Sequence, residues 1–359
     1  MNMLEERIGK VLEEKLERLV RQKGAVGWDS TFQPRIRNNK IVKGTKVIRI
    51  YVEKKKPPKE LRMFEVLPTE LDGIEIDVVE VGYPKIPLPV TPEDAGRRRR
   101  KKLSIDPTGV VRPIVAGVSV GNIDITAGTL ATFFYESGST EVLASSNGHV
   151  FTHDCLRPPE YQRKEILQPG PYHQNNPANL AIYLKWYNQL EPEKASTCPV
   201  MNTLASGINV VSRVFRRKSR MQVIVDTSQN DIDFAVGVPV VSYDYKVLEY
   251  PIEGKKLVGL IFAGSDTISI FCKISNIMKR GYTPVIEEPV DAGVGDEVEG
   301  WSWRLDGYHG SFTVSSTSAN FLVDYGSGKV LMRDVAWGGK MALPGTSGTP
   351  LYLKGGKYV

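Results

Sequence analysis

Four histidines, His149, His153, His173 and His309, are the chain's side chains whose ordinary pKa suits proton transfer near neutral pH. His149 lies in LASSNGHVF, directly after an apolar run that reads as a strand and among small residues. A carboxylate for it is offered by NDIDFAV at 230–236, where an acidic stretch enters an apolar strand. Asp231 and Asp233 alternate with Ile232 and Phe234, so both are expected on one face; burying either demands a hydrogen-bonded partner. A hydroxyl is offered by PGTSGTP at 344–350, with Ser347 between glycines. Gly345 can adopt torsions closed to other residues, letting the amides of Gly345 and Ser347 converge as an oxyanion hole. The chemistry these groups permit is nucleophilic attack by a serine hydroxyl, with a neutral imidazole taking the proton and a carboxylate orienting the imidazole. Gly-Thr-Ser-Gly alone is ordinary turn sequence. The order His, Asp, Ser, each at a strand end, gives it weight.

The elements that must position these groups are mainly β. From Gly109 onward, runs such as IVAGVSVG, ITAGTLATFFYES, KLVGLIFAGS, TISIFCKI and NFLVDYG alternate with Gly, Asn, Asp and Pro, the pattern of a barrel or sandwich. One interruption at 198–220 has helical spacing at Met201, Leu204, Ile208, Val211 and Val214, then a basic tail. Residues 1–84 read as a separate small α+β unit: an amphipathic helix over 3–23 ending at Gly24, then three or four strands. Between them, 85–108 is Pro-rich and ends in GRRRRKK at 96–102, an exposed linker whose dibasic bonds are candidate processing sites. The remainder, 109–359, is one β domain.

Composition removes several function classes. Net charge is +6, and the run at 96–102 supplies much of it, so a general nucleic-acid footprint is weakly supported. Cys155, Cys198 and Cys272 are widely spaced with no CxxC pair, which points to neither a zinc site nor a disulfide framework. No cofactor or metal is expected. The charged N-terminus is unlike a signal peptide and no apolar run reaches membrane-spanning length, so a cytoplasmic location is expected, with particle association left open.

In order and context these motifs resemble the trypsin-like, chymotrypsin-fold serine peptidases. LASSNGHVF is similar to the family's histidine segment, DFAV to its aspartate segment, which favours Asp233 over Asp231, and GTSGTP to its Gly-Asp-Ser-Gly-x-Pro signature. The resemblance is widest to a microbial intracellular subgroup, through VRPIVAGVSVGNIDITAGTLATFFY, EILQPGP and an N-terminal IRIYVEKKKPP…LPTELDGIEIDVVEVG. It implies two six-stranded antiparallel barrels of the chymotrypsin type behind a small pro-domain-like unit. It also implies a serine endopeptidase with His149, Asp233 and Ser347 as the triad, acting on a protein or peptide.

The resemblance places Phe262, Ala263 and Gly264 beside the substrate backbone. It places the floor of the specificity pocket near Met341, where a neutral residue implies apolar preference. Two departures stand out. Thr346 replaces the aspartate that precedes the nucleophile, which argues against activation by a new N-terminus, and Gly148 stands where the subgroup usually has Asn. The text at 255–281, which in the family follows the nucleophile, here precedes it, so the second barrel is expected to be permuted, with 257–264 lying beside 350–354. The contrasting expectations are a catalytically silent peptidase-like binding or structural module, and a nucleic-acid binder through 97–102 and 213–220.

Overall fold

The computed structural model describes residues 3–37, 40–63, 65–86, 103–196, 198–214, 223–225, 230–248 and 250–354. The basic run at 96–102 and the basic tail at 215–220 lie outside the described residues.

The fold is mainly β, as its alternating apolar runs predict. Helix α1 (Met3–Lys23) precedes β1 (Gly27–Asp29), β2 (Gln33–Arg37), β3 (Lys40–Val52) and β4 (Ile74–Glu80). A first sheet is built from β5 (Ser119–Asn122), β6 (Gly128–Thr129), β7 (Phe133–Glu136), β8 (Val142–Ser146), β9 (Glu165–Leu167), β10 (Leu180–Tyr187) and β11 (Ala235–Pro239). One-turn helix α2 (Gly148–Phe151) follows β8, and α3 (Pro199–Val214) follows β10. A second sheet uses β12 (Lys256–Gly264), β13 (Ile268–Lys273), β15 (Glu297–Trp301), β16 (His309–Asp324), β17 (Lys329–Gly339) and β18 (Pro350–Leu353), while α4 (Ile274–Lys279) leads to β14 (Tyr282–Pro284), which joins the first sheet at β7.

Both sheets curl toward a ring. In the second, antiparallel pairing runs β15–β18–β12–β13–β17–β16 and back to β15. In the first, the stretch 128–136 serves two neighbours. Gly128 and Thr129 pair with β5, whereas Ala131 donates to Ser145 O at 2.9 Å and β7 pairs with β8. The remaining neighbours, β8–β11–β10–β9–β5, complete that circuit. Curling of this kind removes sheet edges.

Why β12 reads as an unbroken apolar run follows from its place. Val258 and Ile261 face the second sheet's interior with Phe271, Val298, Phe312 and Leu351, whereas Leu257, Leu260 and Phe262 face the large core shared with the first sheet. A strand buried on both faces has no polar alternation to show. Leu257 pairs with Tyr352, so 257–264 and 350–353 are neighbours.

Residues 1–84 do not form a sheet of their own. β1 pairs on one side with β3 and on the other with β16, so the N-terminal strands extend the second sheet. The reason lies in β16, whose residues 309–313 pair with β15 and whose residues 319–321 pair with β1. Register shifts between Val314 and Phe321, in the sequence VSSTSANF, let the strand leave one partner for the other. Helix α1 lays Leu16 and Val20 on Trp28, Ile48, Ile50 and Leu331, the last from β17.

The helix expected at 198–220 is α3 (Pro199–Val214), and three of the five residues that give its spacing, Met201, Leu204 and Ile208, are exposed. No described helix is long and apolar enough to cross a membrane.

Candidate active site

His149 is the second residue of α2, the turn that ends β8. Its Nδ1 lies 2.6 Å from Asp233 Oδ2, and its backbone N–H donates to Asp233 Oδ1 at 3.2 Å. An ionised carboxylate only accepts, so Nδ1 carries the proton and the neutral ring keeps its lone pair on Nε2. That Nε2 is buried and has no hydrogen-bond partner among the described residues. Asn147 donates through Nδ2 to Asp233 O at 2.8 Å, locking the turn to the aspartate, while its own Oδ1 is buried without a partner. Two buried acceptors without partners therefore lie two positions apart, at Asn147 Oδ1 and His149 Nε2.

Asp233 is fully buried. Beyond His149, its Oδ2 accepts from Tyr325 Oη at 2.9 Å, and its backbone N–H lies 3.1 Å from Cys272 Sγ. Burial, with the charge of Asp233 adding to it, holds the Tyr325 phenol and the Cys155 and Cys272 thiols well above their ordinary pKa ranges. All three therefore stay protonated around the carboxylate. Gly148 has a local reason: a Cβ there would come within 2.9 Å of Asp233 Oδ1.

The structure separates the two aspartates. Asp231 is only partly buried and pairs with Arg280 at 2.7 Å. The expected common strand face is absent, because 231–234 precede β11 and are unpaired. The other histidines are engaged or remote. His173 Nδ1 is 2.7 Å from Ser119 Oγ, His309 Nε2 is 3.1 Å from Glu299 Oε2, and His153 is exposed.

Ser347 sits between two turns, each with glycine at its third position. Leu343–Thr346 has Pro344 second and Gly345 third, with φ +94° at Gly345 and Thr346 N–H donating to Leu343 O at 2.9 Å. Thr346–Thr349 has Gly348 third, with φ +90° and Thr349 N–H donating to Thr346 O at 2.9 Å. Thr346 Oγ1 closes the first turn by accepting from Leu343 N–H and donating to Leu343 O. Neither the Gly345 nor the Ser347 amide donates a hydrogen bond among the described residues, although Thr346, between them, does. Glycine is required at both places: a Cβ on Gly345 would strike Trp303 at 2.5 Å, and one on Gly348 would strike Thr129 O at 2.1 Å and Ser146 Oγ at 2.3 Å.

The two turns meet. Gly348 is seated against Ser146, three residues before His149, and a Cβ on Gly128 would touch both Val150 Cγ2 at 2.5 Å and Ser347 O at 3.1 Å. Thr129 fixes the Ser347 turn from below, its N–H donating to Ser347 O and its Oγ1 to Gly345 O, both at 2.8 Å. No hydrogen bond joins Ser347 Oγ to His149 Nε2.

The expected substrate residues lie elsewhere in character. Met341 is buried in the second sheet's interior with its thioether against Gly300 and Gly310. Phe262 and Ala263 are buried, and Gly264 packs so closely on Ala342 that a Cβ would come within 2.4 Å of its methyl. Asn147, Tyr325 and Cys272 are site residues that sequence reasoning missed. Tyr325 stood in NFLVDYG, where only strand and turn signals are visible, and nothing local marks it.

The chain matches no protein-family model and no curated protein.

Proposed function

We propose that the chain is a serine endopeptidase of the trypsin-like type. The observation that carries this reading is the His149–Asp233 pair with its unpartnered Nε2, together with a Ser347 turn that is held by Thr129 and seated against Ser146 on the strand leading to His149. Ser347 Oγ attacks the scissile carbonyl carbon while Nε2 takes the hydroxyl proton. Asp233 keeps Nδ1–H oriented and stabilises the imidazolium, and the amides of Gly345 and Ser347 hold the oxyanion. The imidazolium then protonates the leaving amine, leaving an acyl ester on Ser347. Water, deprotonated by Nε2, hydrolyses the ester and restores the hydroxyl.

Two features of the fold support the reading. The circuits of the two sheets suit a pair of six-stranded barrels, and the Leu257–Tyr352 pairing suits a second barrel whose closing strands come first in sequence. The basic bonds at 97–102 are proposed self-processing sites.

A fluorophosphonate tests the reading. Labelling is expected at Ser347 and is expected to vanish in Ser347→Ala and His149→Ala, along with any cleavage between Arg97 and Lys102. Folded protein that takes no label would instead make this a silent binding module.

A further inference from the structure

The segment that leaves the N-terminal strands is held in an unusual manner. Lys85 N–H donates to Gly264 O and Gly264 N–H donates to Lys85 O, both at 3.0 Å, an antiparallel pair on the end of β12. On the segment's other side, Ile86 N–H donates to Asp324 O at 3.0 Å and Asp324 N–H donates to Pro84 O at 3.1 Å. Three consecutive residues are thus clasped by four main-chain bonds between two edges, while the Lys85 side chain is exposed. Upstream, Ser265 Oγ donates to Val81 O, and Gly82, at φ +71°, lies so close that a Cβ would meet Ser265 Oγ at 2.9 Å.

Each wall of this clasp adjoins a segment that leads to the candidate site. Asp324 precedes Tyr325, whose hydroxyl binds Asp233. Gly264 abuts Ala342, the residue just before the Leu343–Thr346 turn. Recognition through main-chain groups, with side chains free, is how a sheet edge accepts an extended peptide of varied sequence.

We propose that Tyr83–Ile86 occupies the track in which an extended peptide substrate lies, so that the chain carries the competitor for its own site. This rests on the peptidase reading, which puts the substrate backbone along Phe262–Gly264. Each main-chain bond contributes on the order of 1 kcal/mol net. Covalent attachment gives the segment an effective concentration of about millimolar or more, so a free peptide competes poorly until the clasp opens.

The test uses the full chain carrying Ser347→Ala, so that a bound peptide is not cut. Binding of a fluorescein-labelled, alanine-rich hexapeptide is read by anisotropy with and without Lys85→Pro, which removes the N–H given to Gly264. Ile86→Pro, which removes the N–H given to Asp324, is the second variant, and unchanged thermal midpoints establish that each variant folds. Both are expected to tighten peptide binding by about fivefold, as the tethered competitor loses one of its four main-chain bonds. Equal affinity in the parent and in a folded variant overturns the proposal. Fluorophosphonate labelling of the Ser347-bearing chains is scored separately, because that small probe needs no track. Labelling without a gain in peptide affinity removes the self-occupied track and leaves the peptidase; a gain without labelling removes the peptidase and leaves the track.

Discussion

At the scale of single residues, Asp233 is the group on which the site depends. It is buried, and three donors converge on its two oxygens: His149 Nδ1–H, the His149 backbone N–H and the Tyr325 hydroxyl. Charge-assisted bonds in a buried setting are strong, and their loss is felt in the orientation of the ring they hold. Replacing Asp233 by Asn swaps an acceptor for a group that can present N–H to Nδ1, which favours the tautomer with the proton on Nε2. Hydrolysis of a peptide ester is therefore expected to fall by about 10⁴-fold in Asp233→Asn. Tyr325→Phe removes one donor of three and is expected to cost about tenfold. Full activity in Asp233→Asn would show that the His149–Asp233 bond has no part in the chemistry. The sequence made Asp233 and Asp231 equal candidates by residue type and spacing. What separates them is the chain's path before β11, where one carboxyl turns to His149 and the other to Arg280.

At the scale of elements, the join between β1, β3 and β16 is a buried polar cluster. Asp29 on β1 accepts from Tyr51 Oη on β3 at 2.6 Å and from Ser316 Oγ on β16, with Arg49 at 3.8 Å. Burial pushes the Asp29 carboxyl up to about 6, against the opposing pull of Ser316, Tyr51 and Arg49. Its folded-state pKa thus lies above the ordinary 3.8, so its contribution to stability is complete below about 4 and is lost as pH rises through about 6. Comparing urea unfolding of the parent with Asp29→Asn isolates this group. Relative to the variant, the parent is expected to lose on the order of 2–3 kcal/mol between pH 4 and pH 7. A difference that does not change over that range would refute the assignment. None of this is legible in the sequence, because the partners of Asp29 are 22 and 287 positions away.

At the scale of the whole molecule, the N-terminal strands enter the large core shared by the two sheets. Tyr51 stacks on Phe321 at 4.8 Å and meets Trp337 edge-on at 5.4 Å, with Trp337 Nε1–H donating to Tyr51 Oη at 2.9 Å. A chain beginning at Leu103 would expose the edge of β16, together with Leu331 and Phe321. Its thermal midpoint is expected to fall by more than about 10 °C, since the apolar packing that leaves with those strands is worth several kcal/mol. An unchanged midpoint would mean that the N-terminal strands are dispensable packing.

Sequence alone determined what depends on neighbours along the chain. Alternating apolar runs announce the β character, Pro344–Gly345 and the glycine at 348 announce the turns around Ser347, and the alternation Asp231–Ile232–Asp233–Phe234 announces a carboxylate that needs a partner. Only the tertiary structure decided what depends on distance in sequence. It joined the N-terminal strands to β16 through a change of partner in mid-strand, brought Tyr325 across 92 positions to Asp233, and closed Lys85 onto Gly264. The physical reason is the same in each case. Local torsional and apolar patterns are written in adjacent residues, whereas a hydrogen bond across a core leaves no mark in the residues beside either partner.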